Sequence, residues 1–257
     1  MKLFDATLDL ASFAKGTEDY TISSVNGNMV VCNDLSGRVA EFGGGTIWFR
    51  TGALAGKFCR IKEGAAQTLT LPDNISGYAA GDEITIGAWL EFDTQKLVNA
   101  INSVLRTYKI MKSDESLVFH RDQTIYELPE NVTEDIRRVF INVAWTRQPA
   151  VSHYWRAEDG NLLILAPEKY EDGSPIKIYY VTQHGAVGPD DEINRQVDPL
   201  YLRYMSWLYL CRNLIQNTHK DNLIASDMYN EAKVYERDYS HLPNKALGIR
   251  SFTFPNW

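Results

Sequence analysis

The hydrophobic pattern of the chain changes period at Asp93–Thr94. Before this point, short runs rich in Val, Ile, Thr and aromatic residues are separated by Gly, Asn or Asp, a pattern typical of short strands. After it, apolar residues recur at helical spacing at Leu97, Ile101, Val104 and Leu105. One element cannot follow both periods. We therefore predict an α+β fold, with a domain boundary between residues 93 and 94.

Residues 1–93 are predicted to form a β-sandwich domain of jelly-roll type. Asn26-Gly27 is a strong tight-turn signal between two runs with strand character. Residues 68–71 and 83–86 alternate apolar and polar side chains, as expected for a sheet with one solvent-facing side. Gly43-Gly44-Gly45 is interpreted as a turn between strands, because no helix start follows it as a phosphate-binding loop requires.

Residues 94–243 are predicted to form a second, α+β domain. A helix over about 95–109 is followed by a small antiparallel sheet of three or four strands between residues 124 and 181, with turns at Asp159-Gly160 and Asp172-Gly173. Asp198-Pro199 combines a helix cap with a proline at the first helical position. Two apolar stripes then extend to about residue 239, which predicts an antiparallel helix pair; a single bent helix is the alternative.

Composition limits the classes of protein that fit this chain. Its 257 residues, 44% of them hydrophobic, are ample for a buried core. No run of eighteen apolar residues is present, so no transmembrane helix is predicted. The first nine residues become acidic where a signal peptide would become apolar, and we expect a soluble protein of a reducing compartment. The net charge of −7 argues against gripping a phosphate backbone, although it is compatible with a passage through which DNA slides.

Cysteine and histidine spacing gives no sign of a metal or catalytic centre. Cys32, Cys59 and Cys211 are far apart, which supports neither a disulfide framework nor a zinc site. The five histidines lack metal-ligand spacing, and the nucleophile-elbow and P-loop patterns are absent. His184 is interpreted as a loop histidine with a hydrogen-bonding role. The acidic run Asp190-Asp191-Glu192 is interpreted as a solvated loop before the helices. We expect no enzyme, no catalytic residue, no cofactor and no bound metal, and an enzyme of unrecognised type remains an open alternative.

Aromatic residues offer a different kind of site. A sugar-stacking platform on the N-terminal sandwich is one interpretation, and burial in hydrophobic cores is the other, favoured especially for Trp48 and Trp89. The residues concerned are Trp48, Trp89, Trp145, Trp155 and Trp207.

After residue 94, sequence features follow one another in a characteristic order. A helix is followed by a Tyr-x-Leu-Pro strand at Tyr126–Pro129 and an Ile-Arg-Arg-Val strand at Ile136–Val139. A hairpin from Trp155 to Leu165, a Tyr-Tyr-Val-x-x-His-Gly strand, an acidic loop and paired helices complete the order. This order resembles that of head-to-tail connector (adaptor) proteins of tailed bacteriophages. The resemblance covers about the last two-thirds of the chain, and the N-terminal sandwich is a departure from small adaptors.

This resemblance implies a structural virion protein that is assembled in the bacterial cytoplasm and forms part of the neck. Its implied partners are the portal protein, tail or neck proteins and further copies of itself in a cyclic ring, with double-stranded DNA only as cargo and no membrane. Residues 244–257 would be an extended arm that docks on the portal, and Pro255 argues against a regular helix there. The alternative is that this segment folds back on the chain's own helices. The predicted docking residues are Lys245, Ile249, Arg250, Phe252, Phe254 and Trp257. A carbohydrate- or host-binding virion module is the alternative function.

Overall fold

A computed structural model describes residues 1–35, 39–87, 92–132, 135–217 and 223–239. These residues form two compact units. The first combines residues 1–108 with the described residues from 185 onward, and the second comprises residues 109–184. The units do not follow the predicted boundary between residues 93 and 94, because the helix after that boundary packs with the first unit. Whether residues 1–93 fold as a separate fragment stays a prediction.

The described residues contain four α-helices and fifteen strands, and the fold is α+β as predicted. The helices are α1 (Leu3–Lys15), α2 (Thr94–Thr107), α3 (Pro199–Asn217) and α4 (Leu223–Tyr239). The strands of the first unit are β1 (Thr17–Thr21), β2 (Ser24–Asn26), β3 (Met29–Val31), β4 (Thr46–Phe49), β5 (Phe58–Arg60), β6 (Glu63–Ala65), β7 (Thr68–Thr70) and β8 (Glu83–Gly87). The strands of the second unit are β9 (Lys109–Val118), β10 (Ile125–Glu127), β11 (Ile136–Asn142), β12 (Pro149–Ser152), β13 (Trp155–Glu158), β14 (Asn161–Ile164) and β15 (Pro175–Gln183). Within these ranges, no helix combines the length and the apolar character needed to cross a membrane.

Two four-stranded antiparallel sheets enclose the core of the first unit. Their strand orders are β1-β8-β4-β5 and β2-β3-β7-β6. Val30 and Leu69 from one sheet share a buried cluster with Ile47, Phe49 and Ile84 from the other. The Asn26-Gly27 turn joins β2 to β3 as predicted, with Gly27 at φ 60°. The triple glycine lies in the turn that leads into β4, also as predicted.

Helix α1 was not predicted, and it changes the environment of the first sheet. It packs near β4, where the Trp48 indole Nε1 donates a hydrogen bond to Thr7 Oγ1 over 3.0 Å. Both faces of β4 are therefore buried, and Thr85 on β8 is only 1% exposed. The expected solvent-facing side of residues 83–86 is therefore present at Glu83, which is exposed, but not at Thr85. Trp48 lies on the face turned toward α1, with its side chain fully buried.

The caps of α2 and α3 follow the sequence signals. Asp93 Oδ1 accepts a hydrogen bond from the backbone N–H of Lys96, which satisfies a free donor at the start of α2. Asp198 Oδ1 accepts from the backbone N–H groups of Leu200 and Tyr201 at the start of α3. The helix pair is confirmed, and α4 is a separate helix rather than the continuation of a bent one.

The second unit contains two sheets where one small meander was predicted. Strands in the order β12-β11-β15-β9 form one sheet, and β10-β14-β13 form the other. Their inward side chains share one core, which includes Val139 and Ile178 from the first sheet and Tyr126, Leu162 and Ile164 from the second. The ten-residue strand β9 was missed, because it is an edge strand with charged residues in mid-strand and no clean alternation. The Asp159-Gly160 turn joins β13 to β14 as predicted, with positive φ at both residues.

Candidate functional site

All of the predicted docking residues lie outside the described part of the chain. Lys245, Ile249, Arg250, Phe252, Phe254 and Trp257 follow helix α4, which ends at Tyr239. The structure does describe how α4, the last described element before these residues, is held.

Stacked tyrosines attach α4 to α3. The ring of Tyr204, near the start of α3, lies 4.4 Å from that of Tyr235 and 4.3 Å from that of Tyr239, measured between centroids. Phe13 of α1 meets Tyr204 and Tyr235 edge-on, at 5.3 and 5.7 Å. Since the end of α4 meets the start of α3, the two helices are antiparallel. The C-terminal end of α4 therefore lies beside the first turns of α3.

An ion pair fixes the same end of α3 to α1. Arg203 Nε donates to Asp9 Oδ2 over 2.7 Å, and a second guanidinium nitrogen bonds the other carboxylate oxygen. The pKa of Arg203 is raised, mainly by this hydrogen-bonded carboxylate. A bidentate pair of this kind fixes geometry as well as charge. The C-terminal end of α4 thus contacts an end of α3 that is also held by α1.

Two of the acidic residues considered for chemistry, Asp190 and Asp191, make local polar contacts. Asp190 pairs with Lys57, and Asp191 Oδ2 accepts from the backbone N–H of Gly188 over 2.7 Å. Within the described ranges, no group of three or more His, Cys, Asp or Glu side chains is placed to hold a metal ion. His184 follows strand β15. These carboxylates stabilise their loop, and the structure assigns them no further chemistry.

The tryptophans that the structure describes do not assemble into a platform on the N-terminal sandwich. Trp48 is fully buried, and Trp207 is 5% exposed between the rings of Phe13 and Phe92. Trp89 lies outside the described residues. Trp145, in the second unit, is the most exposed tryptophan of those described, at 74%.

One face of the sheet β10-β14-β13 is apolar and exposed; we call it the outer face. Three rows of side chains cross it, since directly paired residues lie on the same side of a sheet. The first row is Glu127, Asn161 and Glu158, and the second is Ile125, Leu163 and Arg156. The third is Leu165 and Tyr154, joined by the hydrogen bond from Leu165 N–H to the Tyr154 carbonyl over 2.8 Å.

Several large apolar side chains on this outer face are exposed to solvent. Ile125 is 56% exposed, Leu165 62% and Tyr154 46%. Clustered apolar exposure of this kind marks an interaction surface more often than isolated apolar residues do. Sequence reasoning missed it because Leu162–Leu165 is a continuous apolar run, which has the pattern of a strand buried on both faces. The neighbouring strands did contain a signal of a solvent-facing side. In them a polar residue adjoins an inward-facing one, as Glu127 adjoins Tyr126 and Glu158 adjoins Ala157.

Two clefts in the first unit are less specific. A polar cleft of about 300 Å³ is lined by Asp19, Asp34, Arg50 and Glu83, among other residues. A groove of about 170 Å³ lies over Phe92 between α2 and α3, with Lys96 and Tyr209 on its walls. Neither combines a buried polar group with a reactive partner.

No model of a known protein family matches the chain, and no curated protein matches it in sequence.

Proposed function

We propose that this chain is a structural subunit of the head-to-tail connector of a tailed bacteriophage, forming a ring under the portal and bridging to the tail. The observation that carries the proposal is the order of elements after residue 93: a capped helix, a β-rich unit and an antiparallel helix pair. This is the order on which the sequence resemblance rests. The antiparallel pair of α3 and α4 matches the paired helices of that order.

The arm is the part of the chain on which assembly is proposed to depend. Its aromatic side chains need a partner surface, because so short a segment cannot bury them itself. Lys245 and Arg250, with no acidic residue between 244 and 257, give it a positive charge on an acidic protein. Such a segment is suited to a partly acidic, partly apolar receptor.

Binding to portal-bearing capsids tests the proposal directly. The full chain is mixed with tailless capsids that carry the portal encoded in the same genome, and attachment is measured by co-sedimentation. We expect the full chain to attach and a chain lacking residues 248–257 to remain folded but unattached. Attachment that does not require a portal, or none by the full chain, would contradict the connector proposal.

A carbohydrate- or host-binding virion module is the second candidate, and Trp145 is the observation that favours it. An exposed indole can stack on a sugar ring. In that case the chain would form stable trimers, bind glycans, and lose binding in a Trp145→Ala variant. A connector subunit, by contrast, is expected to be monomeric in dilute solution.

A further inference from the structure

The outer face of the second unit has the chemistry expected of a receptor for the C-terminal arm. Its middle and third rows contain the exposed apolar side chains of Ile125, Leu165 and Tyr154, and Leu163 beside Ile125 is half-buried. Its first row is acidic: Glu127 and Glu158 flank Asn161, and Asp159 follows in the adjoining turn. Arg156, which pairs with Glu158, is the basic residue of these three rows. One end of the face is therefore negative and the other apolar.

The arm carries the complementary pattern. Arg250, Phe252 and Phe254 are spaced two residues apart, so an extended segment would place all three on one side. Two residues of extended chain span about 6.7 Å, the same step that separates successive rows on the sheet. Arg250 would meet the acidic first row, Phe252 the row of Ile125 and Leu163, and Phe254 the row of Leu165 and Tyr154.

The third row is also compatible with an aromatic guest. Lys169 Nζ lies 3.5 Å from the centroid of the Tyr154 ring, which shows that this end already supports a cation–π contact. No basic residue follows Arg250 in the sequence, so the aromatic half of the arm would bring no side-chain charge that repels Lys169.

We infer that residues 250–254 dock on the outer face of the second unit of a neighbouring copy of this chain. The inference rests on the proposed ring. It assigns the arm to the next subunit of the ring, whereas the resemblance implies that the arm docks on the portal. A second copy is the chosen occupant because a ring needs one repeated contact between two different surfaces, and an arm on a face is such a contact. The chain continues from Tyr239 to Trp257, and at about 3.3 Å per extended residue it is long enough to reach a neighbour.

Site-specific cross-linking tests the contact in the full-length chain. A photoreactive benzoylphenylalanine replaces Phe252, and labelled and unlabelled copies are mixed, both in concentrated protein and bound to portal-bearing capsids. We expect cross-links that join a labelled to an unlabelled copy and map to residues 125–127 or 154–165. An Ile125→Asp/Leu165→Asp variant should lower their yield about tenfold, equivalent to about 1.4 kcal/mol of contact free energy.

Two controls separate this contact from a general loss of structure. Val118→Asp changes a residue of similar exposure, 45%, on the other sheet of the same unit, and should leave the yield unchanged. Glu127→Arg should weaken cross-linking, and a compensating Arg250→Glu change should restore it. If the double variant does not recover cross-linking, the proposed contact between Glu127 and Arg250 is wrong.

The alternative outcomes are distinct. Cross-links confined to one copy, cross-links elsewhere on the neighbour, or no cross-link to the outer face in either preparation would overturn the inference. Cross-links to the portal would also overturn it, while leaving the connector proposal standing. The connector proposal fails separately, if the chain does not attach to portal-bearing capsids.

Discussion

At the residue scale, a buried indole joins the unpredicted helix to the sheet beneath it. Trp48 is fully buried, and its Nε1 donates to Thr7, whose hydroxyl in turn donates to the Phe4 carbonyl over 3.0 Å. Because a buried donor without an acceptor is costly, this chain of hydrogen bonds fixes both the indole and the first turns of α1. Trp48 is thus a structural residue.

A Trp48→Phe substitution tests this role. It removes the indole N–H and leaves the Thr7 hydroxyl without its donor, in addition to reducing the packed volume. We expect the free energy of unfolding to fall by about 1–3 kcal/mol, measured by urea denaturation. The same substitution at the exposed Trp145 is the matched control and should have little effect. Equal effects at the two positions would show that the hydrogen bond contributes nothing specific.

The cysteines give a second prediction at this scale. Burial raises the pKa of Cys59 to about 12 and that of Cys32 to about 11, with Asp34 adding to the latter. At pH 8 both groups are therefore protonated thiols, and only the thiolate reacts quickly. We expect the folded protein to react slowly with a disulfide reagent at pH 8, although Cys59 is only half-buried, and the urea-unfolded protein to react at all three cysteines. Rapid reaction at Cys59 in the folded state would contradict this environment.

At the element scale, α3 is the central helix of the helical layer. Its Trp207 contacts Phe13 of α1 at 5.9 Å and Phe92, just before α2, at 5.5 Å between ring centroids. Its Tyr204 holds α4. Tyr204 does so by stacking on Tyr235. The apolar stripe of α3 therefore serves three elements.

Truncation of Trp207 to Ala should destabilise the first unit by about 3–5 kcal/mol, because it leaves a large cavity among aromatic rings. Thermal unfolding measures this loss. Val234→Ala on α4, where the side chain is 46% exposed, is a control expected to change little. An unchanged unfolding temperature for the Trp207 variant would show that this face is not part of the core.

The elements that the sequence predicted well are those with local signals. Asp93 and Asp198 are caps whose role depends only on the next three residues, and Asp159-Gly160 specifies its own turn. Helix α1 has an apolar stripe at helical spacing, at Leu3, Ala6 and Leu10. Its acidic residues argue against a signal peptide, but they do not argue against a helix. Strand β9 and the division of its unit into two sheets depend on hydrogen bonding between strands that are far apart in the sequence. A local sequence pattern does not show which distant strands will pair. The arm and its partner remain predictions.

At the scale of the whole molecule, the two compact units differ from the two domains predicted from the change of hydrophobic period between residues 93 and 94. Residues 109–184 have their own core, formed between two sheets. The sheets of residues 17–87 share their unit with the helices, where Thr46 Oγ1 lies 2.7 Å from Thr94 Oγ1 of α2. A boundary drawn between residues 93 and 94 separates these partners.

Isolated fragments distinguish the two divisions. The packing units predict that residues 109–184 fold alone, with dispersed amide resonances and a cooperative unfolding transition. The boundary between residues 93 and 94 predicts the same for residues 1–93. A folded 109–184 fragment beside an unfolded 1–93 fragment would establish the packing division, and the reverse result would restore the boundary drawn from the sequence.

Direct imaging of a particle vertex tests the central claim, that the chain is a connector subunit. Cryo-electron microscopy of virus particles containing this protein, with a tag inserted after Asp122 in an exposed turn, would locate it. We predict a ring of identical subunits immediately below the portal, with tag density repeated around its axis. Tag density on the fibres or capsid faces, or a vertex ring built without this chain, would contradict the account.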